Sequence, residues 1–331
     1  MNAPVTAPLK PKDYASDQEV RWCPGCGDYA VLKAVLTTLA DVQADPARTV
    51  FVSGIGCAAR FPYYVATYGI HTIHGRAPAV ATGIKLANPD LDIWVVGGDG
   101  DLLSIGANHL IHALRRDLDV QILLLNNEIY GLTKGQASPT SRRGTRSPST
   151  PEGSQDPPLS ALRLALGAGA RFVARGIDTQ QKILPQILKR AHAHQGAALV
   201  EILQNCIVYN DGVFEEITAR GGEADAQLHV VHGEPLLFGR DRGRGLRLRA
   251  DGLRLEAASA DAPGILRHDE TDPVLAALLA ELEPPMPVAI GVLLDRPRSP
   301  SQPATAPGRT AAAPPDLTAV LRRGATWRRS G

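Results

Sequence analysis

Two apolar runs, each closing on a polar block, constrain this chain more than anything else in its 331 residues. Ile93-Trp94-Val95-Val96 leads into Gly97-Gly98-Asp99-Gly100, and Ile122-Leu123-Leu124-Leu125 leads into Asn126-Asn127. Unbroken apolar runs with such exits read as parallel strands buried on both faces. Between them, Ser104 to Arg116 carries Ile105, Leu110, Ile111 and Leu114 at helical spacing, with Ser104 as the expected N-cap. The 28 residues from Asp99 to Asn127 fit one βαβ crossover. Asp99 and Asn127 are therefore expected side by side at the carboxyl ends of neighbouring strands, where open α/β sheets bind ligands. A carboxylate, an amide oxygen and a backbone carbonyl such as that of Ile129 suit Mg²⁺, which keeps room for two diphosphate oxygens. The glycines let backbone N–H groups approach the phosphates. Gly-Asp-Gly alone is an ordinary strand-end turn; Asn-Asn at this separation tips the reading toward a metal-held diphosphate.

The four cysteines form a second constellation: Cys23 and Cys26 in WCPGCGDYAVL, Cys57 in SGIGCAARFPYY and Cys206 in EILQNCIVYND. A chain of this length buries an ample core without disulfide staples. It shows no apolar signal-peptide core near its start and no apolar stretch long enough to span a bilayer, so a reducing cytoplasm is expected. Four cysteines there, two of them as Cys-x-x-Cys, suggest a metal centre more than disulfides. A thioredoxin-like pair and buried structural thiols are the alternatives. Tetrathiolate sites suit zinc or iron–sulfur clusters, and the spacing to Cys57 and Cys206 favours no finger motif.

The Gly-Asp-Gly to Asn-Asn pairing resembles the diphosphate-binding motif of thiamine-diphosphate enzymes, which implies Asp99, Asn127 and the Ile129 carbonyl as magnesium ligands. The cysteine blocks, together with HTIHGRAPAVATGIKLANPDLDIWVVGGDGD and LLLNNEIYGLTKGQASPTS, resemble the β subunit of 2-oxoacid:ferredoxin oxidoreductases, and within that family the 2-oxoglutarate enzyme. The likeness runs from about residue 10 to 220 and more loosely to about 295. It implies that Cys23, Cys26, Cys57 and Cys206 bind one 4Fe–4S cluster. It also implies that Ile55, Gly56, Cys57, Ala58, His74, Gly100, Asp101, Gly131 and Leu132 line the thiamine site. The activity implied is oxidative decarboxylation of 2-oxoglutarate with coenzyme A, giving succinyl-CoA and CO₂ and reducing ferredoxin. An α subunit, in a heterodimer or heterotetramer, is the implied partner and carrier of the glutamate that activates the aminopyrimidine. Pyruvate or a broad range of 2-oxoacids is the alternative substrate class. A non-redox thiamine-dependent decarboxylase would keep Asp99 and Asn127 but have no use for the cysteines.

His74 precedes Gly75 at an expected strand-to-helix turn, with Arg76-Ala77-Pro78 opening the next helix. An imidazole there can donate to a phosphate or a substrate carboxylate and can move a proton near neutrality. His71, His109 and His112 read as structural or surface residues. Arg60 follows Cys57 by three residues, where the family resemblance implies a cation that meets substrate. Its guanidinium offers a bidentate fork for the distal carboxylate of 2-oxoglutarate; a local acid or coenzyme A is the alternative partner.

Alternating helices (from Asp28 and from Ala77) and strands (Val50–Ser53, then near Phe172 and Leu199) predict an α/β fold. The expected core is a doubly wound parallel sheet of the thiamine-diphosphate-binding type. Residues 1–20 read as an arm with little local structure and 21–221 as the cofactor-binding domain. LHVVHGEPLLFG and LRLRADGLRLEA mark 222–295 as a small β-rich appendage, and 296–331 reads as a disordered tail. The Gly/Ser/Pro/Arg-rich loop over 130–158 is long enough to be functional. Its Arg142, Arg143 and Arg146 are candidates for coenzyme A phosphates or an acidic ferredoxin. A net charge of +1 gives no footprint for nucleic acid or an acidic membrane.

Overall fold

The computed structural model describes residues 7–298. Its strands are β1 (Thr49–Ser53), β2 (Tyr68–His71), β3 (Asp92–Gly98), β4 (Val120–Asn126), β5 (Ile129–Tyr130), β6 (Gln136–Ala137), β7 (Phe172–Ile177), β8 (Ala197–Leu203), β9 (Gln227–Val230), β10 (Leu237–Phe238), β11 (Arg244–Leu248), β12 (Leu255–Ser259) and β13 (Val288–Asp295). The helices used below are α1 (Asp28–Asp41), α2 (Phe61–Tyr64), α3 (Ala77–Ala87), α4 (Asp99–Leu103), α5 (Ala107–Arg115), α6 (Ala161–Gly167) and α7 (Leu184–Ala193).

Eight strands form the main sheet in the order β2-β1-β3-β4-β8-β7-β13-β9. Every pairing is parallel except β13 against β7. Successive side chains of a strand point to opposite faces, and here both faces are covered. Val50, Val52, Ile93, Val95, Ile122 and Leu124 pack under α3, α5 and α6. Phe51, Trp94, Val96, Leu123 and Leu125 pack under α1 and α7. Two covered faces are why β1, β3 and β4 carry apolar residues in unbroken runs rather than at every second position. Full burial of each such side chain contributes roughly 1.5–3 kcal/mol, set against the entropy of ordering the chain.

The chain runs outward from β1 to β2, then crosses back to lay β3 on the other side of β1. That reversal opens a crevice at the carboxyl ends of β1 and β3, the switch point where such sheets take ligands.

Four expectations change. The crossover helix is broken: α4 begins at Asp99 itself, and Gly106, not Ser104, stands at the N-cap of α5. A Cβ on Gly106 would lie 2.4 Å from the Asp101 carbonyl oxygen and 3.1 Å from Gly75 Cα, so two backbones meet where one continuous helix was expected. The arm is ordered where it is described. Pro11–Tyr14 forms a 3₁₀ turn, Tyr14 is fully buried and its hydroxyl donates to the Ala44 carbonyl at 2.6 Å. The supposed appendage contributes β9 and β13 to the main sheet, leaving only β10, β11 and β12 as a separate antiparallel sheet. Finally, Arg298 is anchored on Asp117 at 3.1 Å, and the rest of the expected tail lies outside the described residues, as do residues 1–6. No helix among the described residues is long and apolar enough to cross a membrane.

Candidate functional site

A cavity of about 440 Å³ occupies the crevice. The turn after β1 supplies Ile55, Gly56, Cys57 and Ala58, and the exit of β3 supplies Gly98, Asp99, Gly100 and Asp101. Asn127 follows β4, Ile129 and Tyr130 form β5, and Gly131 and Leu132 come next; His74 lines the same space. All nine residues expected around the cofactor and all three expected magnesium ligands thus share one cavity.

Asp99 is buried, and its Oδ2 accepts hydrogen bonds from the Ser138 and Thr140 hydroxyls at 2.5 Å each. Burial pushes this carboxyl above the usual carboxylate range, against the pull of the two hydroxyls. Asn127 is oriented from both sides: Nδ2 donates to Gln204 Oε1 at 2.9 Å, and Oδ1 accepts from the Ile129 N–H at 3.2 Å. Asp101 is a strut. Its Oδ1 accepts from the backbone N–H groups of Ile55 (3.0 Å) and Gly75 (2.8 Å), and meets His74 Nδ1 at 2.8 Å. It thereby ties the β1 turn to the His74 turn and orients the imidazole.

A second cavity, of about 190 Å³, is lined by Cys23, Cys26, Cys57 and Cys206, all unpaired. The cysteines come from a tight turn (Cys26 N–H to the Cys23 carbonyl, 3.0 Å), from the β1 exit and from the segment after β8. A Cβ on Gly131 would lie 3.5 Å from Cys206 Sγ and 3.7 Å from Cys57 Sγ, so these two sulfurs flank one backbone position. Trp22 Nε1 donates to the Cys57 carbonyl at 2.8 Å, and Gln204 Nε2 donates to Cys26 Sγ at 3.3 Å. Burial, reinforced by Asp28, pushes the Cys57 thiol up to about 11 and the Cys26 thiol higher still. Ligation requires thiolates, so a metal centre binding here displaces protons from these groups. Among the described residues no three His, Cys, Asp or Glu side chains converge on the position of a single metal ion.

The two cavities share a wall. Asp28, Cys57, Asn127, Gly131 and Leu132 line both. Asp28 was not foreseen, because an aspartate opening a helix is commonplace. It is buried, neither carboxyl oxygen has a hydrogen-bond partner beyond the Cys26 thiol beside it, and burial pushes it up to about 7. Ser138 and Thr140 were passed over too; the hydroxyl-rich run SPTS was their only signal. Arg60 lines the cysteine cavity rather than the larger one. Arg142 does not stand free for coenzyme A: it binds Glu216 at 2.9 Å and the Val213 carbonyl at 2.8 Å, with Glu128 at 3.4 Å. Arg143 and Arg146 are exposed.

A family model described as the thiamine pyrophosphate enzyme C-terminal TPP binding domain matches residues 54–202. The 2-oxoglutarate oxidoreductase subunit KorB of Mycobacterium tuberculosis is 52% identical over 278 residues, 83% of this chain and 74% of that protein. The 2-oxoacid:ferredoxin oxidoreductase 1 subunit beta of Aeropyrum pernix is 50% identical over 190 residues, 57% of this chain and 60% of that protein. A solved 2-oxoglutarate:ferredoxin oxidoreductase from Magnetococcus marinus, with 2-oxoglutarate, coenzyme A and succinyl-CoA bound, matches at a TM-score of 0.73. That match covers 95% of this chain and 90% of the other at 33% identity. By this identity and coverage, the chain belongs to the β subunits of the 2-oxoacid:ferredoxin oxidoreductase family, among the 2-oxoglutarate enzymes.

Proposed function

We propose that this chain is the β subunit of a cytoplasmic 2-oxoglutarate:ferredoxin oxidoreductase, catalytic together with an α subunit in a heterodimer or heterotetramer. The observation that carries the reading is the wall shared by the two cavities, with Cys57 on both sides of it. Thiamine diphosphate held by Asp99, Asn127 and Ile129 would supply an electron sink for decarboxylating a 2-oxoacid, and a 4Fe–4S cluster held by Cys23, Cys26, Cys57 and Cys206 would supply one-electron chemistry toward ferredoxin.

The donor set fits both groups. Asp99, the Asn127 amide oxygen and the Ile129 carbonyl offer the hard oxygens that Mg²⁺ requires beside a diphosphate. Ser138 and Thr140 hold Asp99, and Gln204 holds Asn127, so these ligands are oriented before a metal arrives. A zinc ion with Zn–S near 2.3 Å would draw its four sulfurs to within roughly 3.8 Å of one another. Four thiolates around one cavity equally suit a 4Fe–4S cluster, and the family of the chain favours that group over zinc. His74, tethered through Nδ1 to Asp101, keeps Nε2 for a proton or hydrogen bond in the cofactor cavity. Arg60, which lines the cysteine cavity, is the cation this reading assigns to the distal carboxylate of the substrate, with a local acid or coenzyme A as the alternative partner.

Anaerobic co-purification with the α subunit tests this directly. The complex is expected to reduce ferredoxin only when 2-oxoglutarate and coenzyme A are both present, and the chain alone is expected to be inactive. Full 2-oxoacid-dependent dye reduction by the chain alone would refute the shared-site reading. Equal kcat/KM for pyruvate would replace the 2-oxoglutarate assignment with a broad-range one.

A further inference from the structure

A charged pair is buried in the middle of the sheet, where the surrounding strand residues are apolar. Arg175 on β7 and Glu201 on β8 are direct register partners, and Arg175 Nε meets Glu201 Oε2 at 2.7 Å. Both side chains are nearly inaccessible, at 11% and 3% exposed. Such a pair gives little net stability, because desolvation offsets the attraction; well-packed apolar replacements are often neutral or stabilising. What it does locally is hold one amide. Glu201 Oε1 accepts from Asn126 Nδ2 at 2.9 Å. That fixes Asn126 Oδ1 toward the Glu128 N–H at 3.2 Å and the Thr140 hydroxyl at 2.9 Å. The same hydroxyl reaches Asp99 Oδ2 at 2.5 Å, so Asn126 Oδ1 and Asp99 Oδ2 compete for its one proton, and the setting of Asn126 bears on what Asp99 receives.

None of Asn126, Thr140, Arg175 and Glu201 lines the cofactor cavity. All four line a separate cavity of about 310 Å³ behind Asp99. We infer that Glu201, oriented by Arg175, is a positioning residue for the magnesium end of the site, acting on Asp99 through Asn126 and Thr140. The inference rests on the reading of Asp99 as a magnesium ligand. Removing the outer hydrogen-bond partners of metal ligands typically lowers metal affinity 10- to 100-fold.

The test is the apparent Kd for Mg²⁺ of the full chain in complex with its α subunit, titrated at saturating thiamine diphosphate. The double variant Arg175→Met/Glu201→Met removes both charges together and keeps side-chain bulk but leaves the buried Asn126 amide without its acceptor, so a purely structural role predicts a lowered Tm with unchanged Mg²⁺ affinity in the folded protein. The positioning role predicts, in the folded variant, a Kd raised on the order of tenfold or more. Thr140→Val, which cuts the chain one link nearer the metal, is expected to raise the Kd by a similar factor. Native Mg²⁺ affinity in a folded double variant overturns the proposal; if the double variant does not fold, native affinity in Thr140→Val overturns it instead. Asp99→Asn is the reference. If that variant also keeps native Mg²⁺ affinity, the magnesium assignment has failed rather than the positioning role.

Discussion

The two ends of the parallel strands handle charge in opposite ways. At the amino end the charged groups are paired. Arg190 bridges Glu270 (2.8 Å) and Asp295 (2.7 Å), His194 binds Asp295 at 2.9 Å, and His192 meets Asp92 at 3.2 Å. At the carboxyl end, Asp28 has only the Cys26 thiol beside it, Oδ2 of Asp101 is buried without a hydrogen-bond partner, and Oε2 of Glu128 is buried with only the Arg142 guanidinium at 3.4 Å. Burial pushes Asp28 and Glu128 each up to about 7. A buried carboxyl oxygen left short of partners costs more than a neutral ring nitrogen left without one, as at His194 and His268. The amino end is therefore finished by folding, whereas the carboxyl end is organised around groups that a ligand, a metal centre or a partner supplies.

Variants at the carboxyl end should change binding and leave folding intact. The largest effects are expected at Asp99 and Cys57, and they should be separable. Asp99→Ala should abolish thiamine-diphosphate binding, because the buried carboxylate ligand of Mg²⁺ is gone, while the iron–sulfur absorbance remains. Cys57→Ala should erase that absorbance and electron transfer. Calorimetric titration with the cofactor and a visible spectrum of each variant check the pair. Near-normal cofactor affinity in Asp99→Ala would contradict the magnesium assignment.

A smaller effect is expected at Arg60. Arg60→Leu should lower kcat/KM for 2-oxoglutarate by about tenfold or more, corresponding to roughly 1.5–3 kcal/mol for a charged hydrogen bond. Pyruvate and 2-oxobutyrate, which lack the distal carboxylate, should lose less. Equal losses across the three substrates would assign Arg60 to the cysteine cavity alone.

The smallest effect belongs to the amino end, and it should appear in stability only. Asp295→Asn should lower Tm by a few degrees, on the order of 1 kcal/mol, with Mg²⁺ and cofactor affinities unchanged. Burial opposes ionisation of Asp295, but His194 and Arg190 outweigh it and hold the carboxyl below its usual range. A carboxyl lowered on folding contributes stability above its unfolded pKa and loses it as pH falls through the folded value. The gap in Tm between wild type and variant should accordingly be full near neutrality and close in acid. His192 has the opposite sign. Its hydrogen bond to Asp92 outweighs burial and raises the imidazole, so its contribution is full below the unfolded value and fades as pH rises through the folded one. Thermal melts across the acid-to-neutral range follow both; a gap at Asp295 that does not vary with pH would break the comparison at this end.

The central strands were legible because burial on both faces writes them as uninterrupted apolar runs. The placing of Asp99 beside Asn127 followed from one crossover length. Other features depend on contacts between segments far apart in sequence. Ser138 and Thr140 reach Asp99 from 39 and 41 residues away, along a loop whose path no local pattern encodes. The helix break before α5 needs Gly75 against Gly106. β13 inserts between β7 and β9, antiparallel to the first and parallel to the second, after the whole small sheet has been laid down, and its apolar sequence carries no sign of that insertion. Arg142 looked like a free cation because Glu216, its partner, lies 74 residues on.

On the proposed function, the wall shared by the two cavities separates a thiamine-diphosphate site from an iron–sulfur site. Iron, acid-labile sulfide and zinc analysis of the anaerobically purified full chain tests it most directly. About four iron and four sulfide per chain are expected, with an absorbance lost in Cys57→Ala. One zinc per chain and no sulfide would contradict the account.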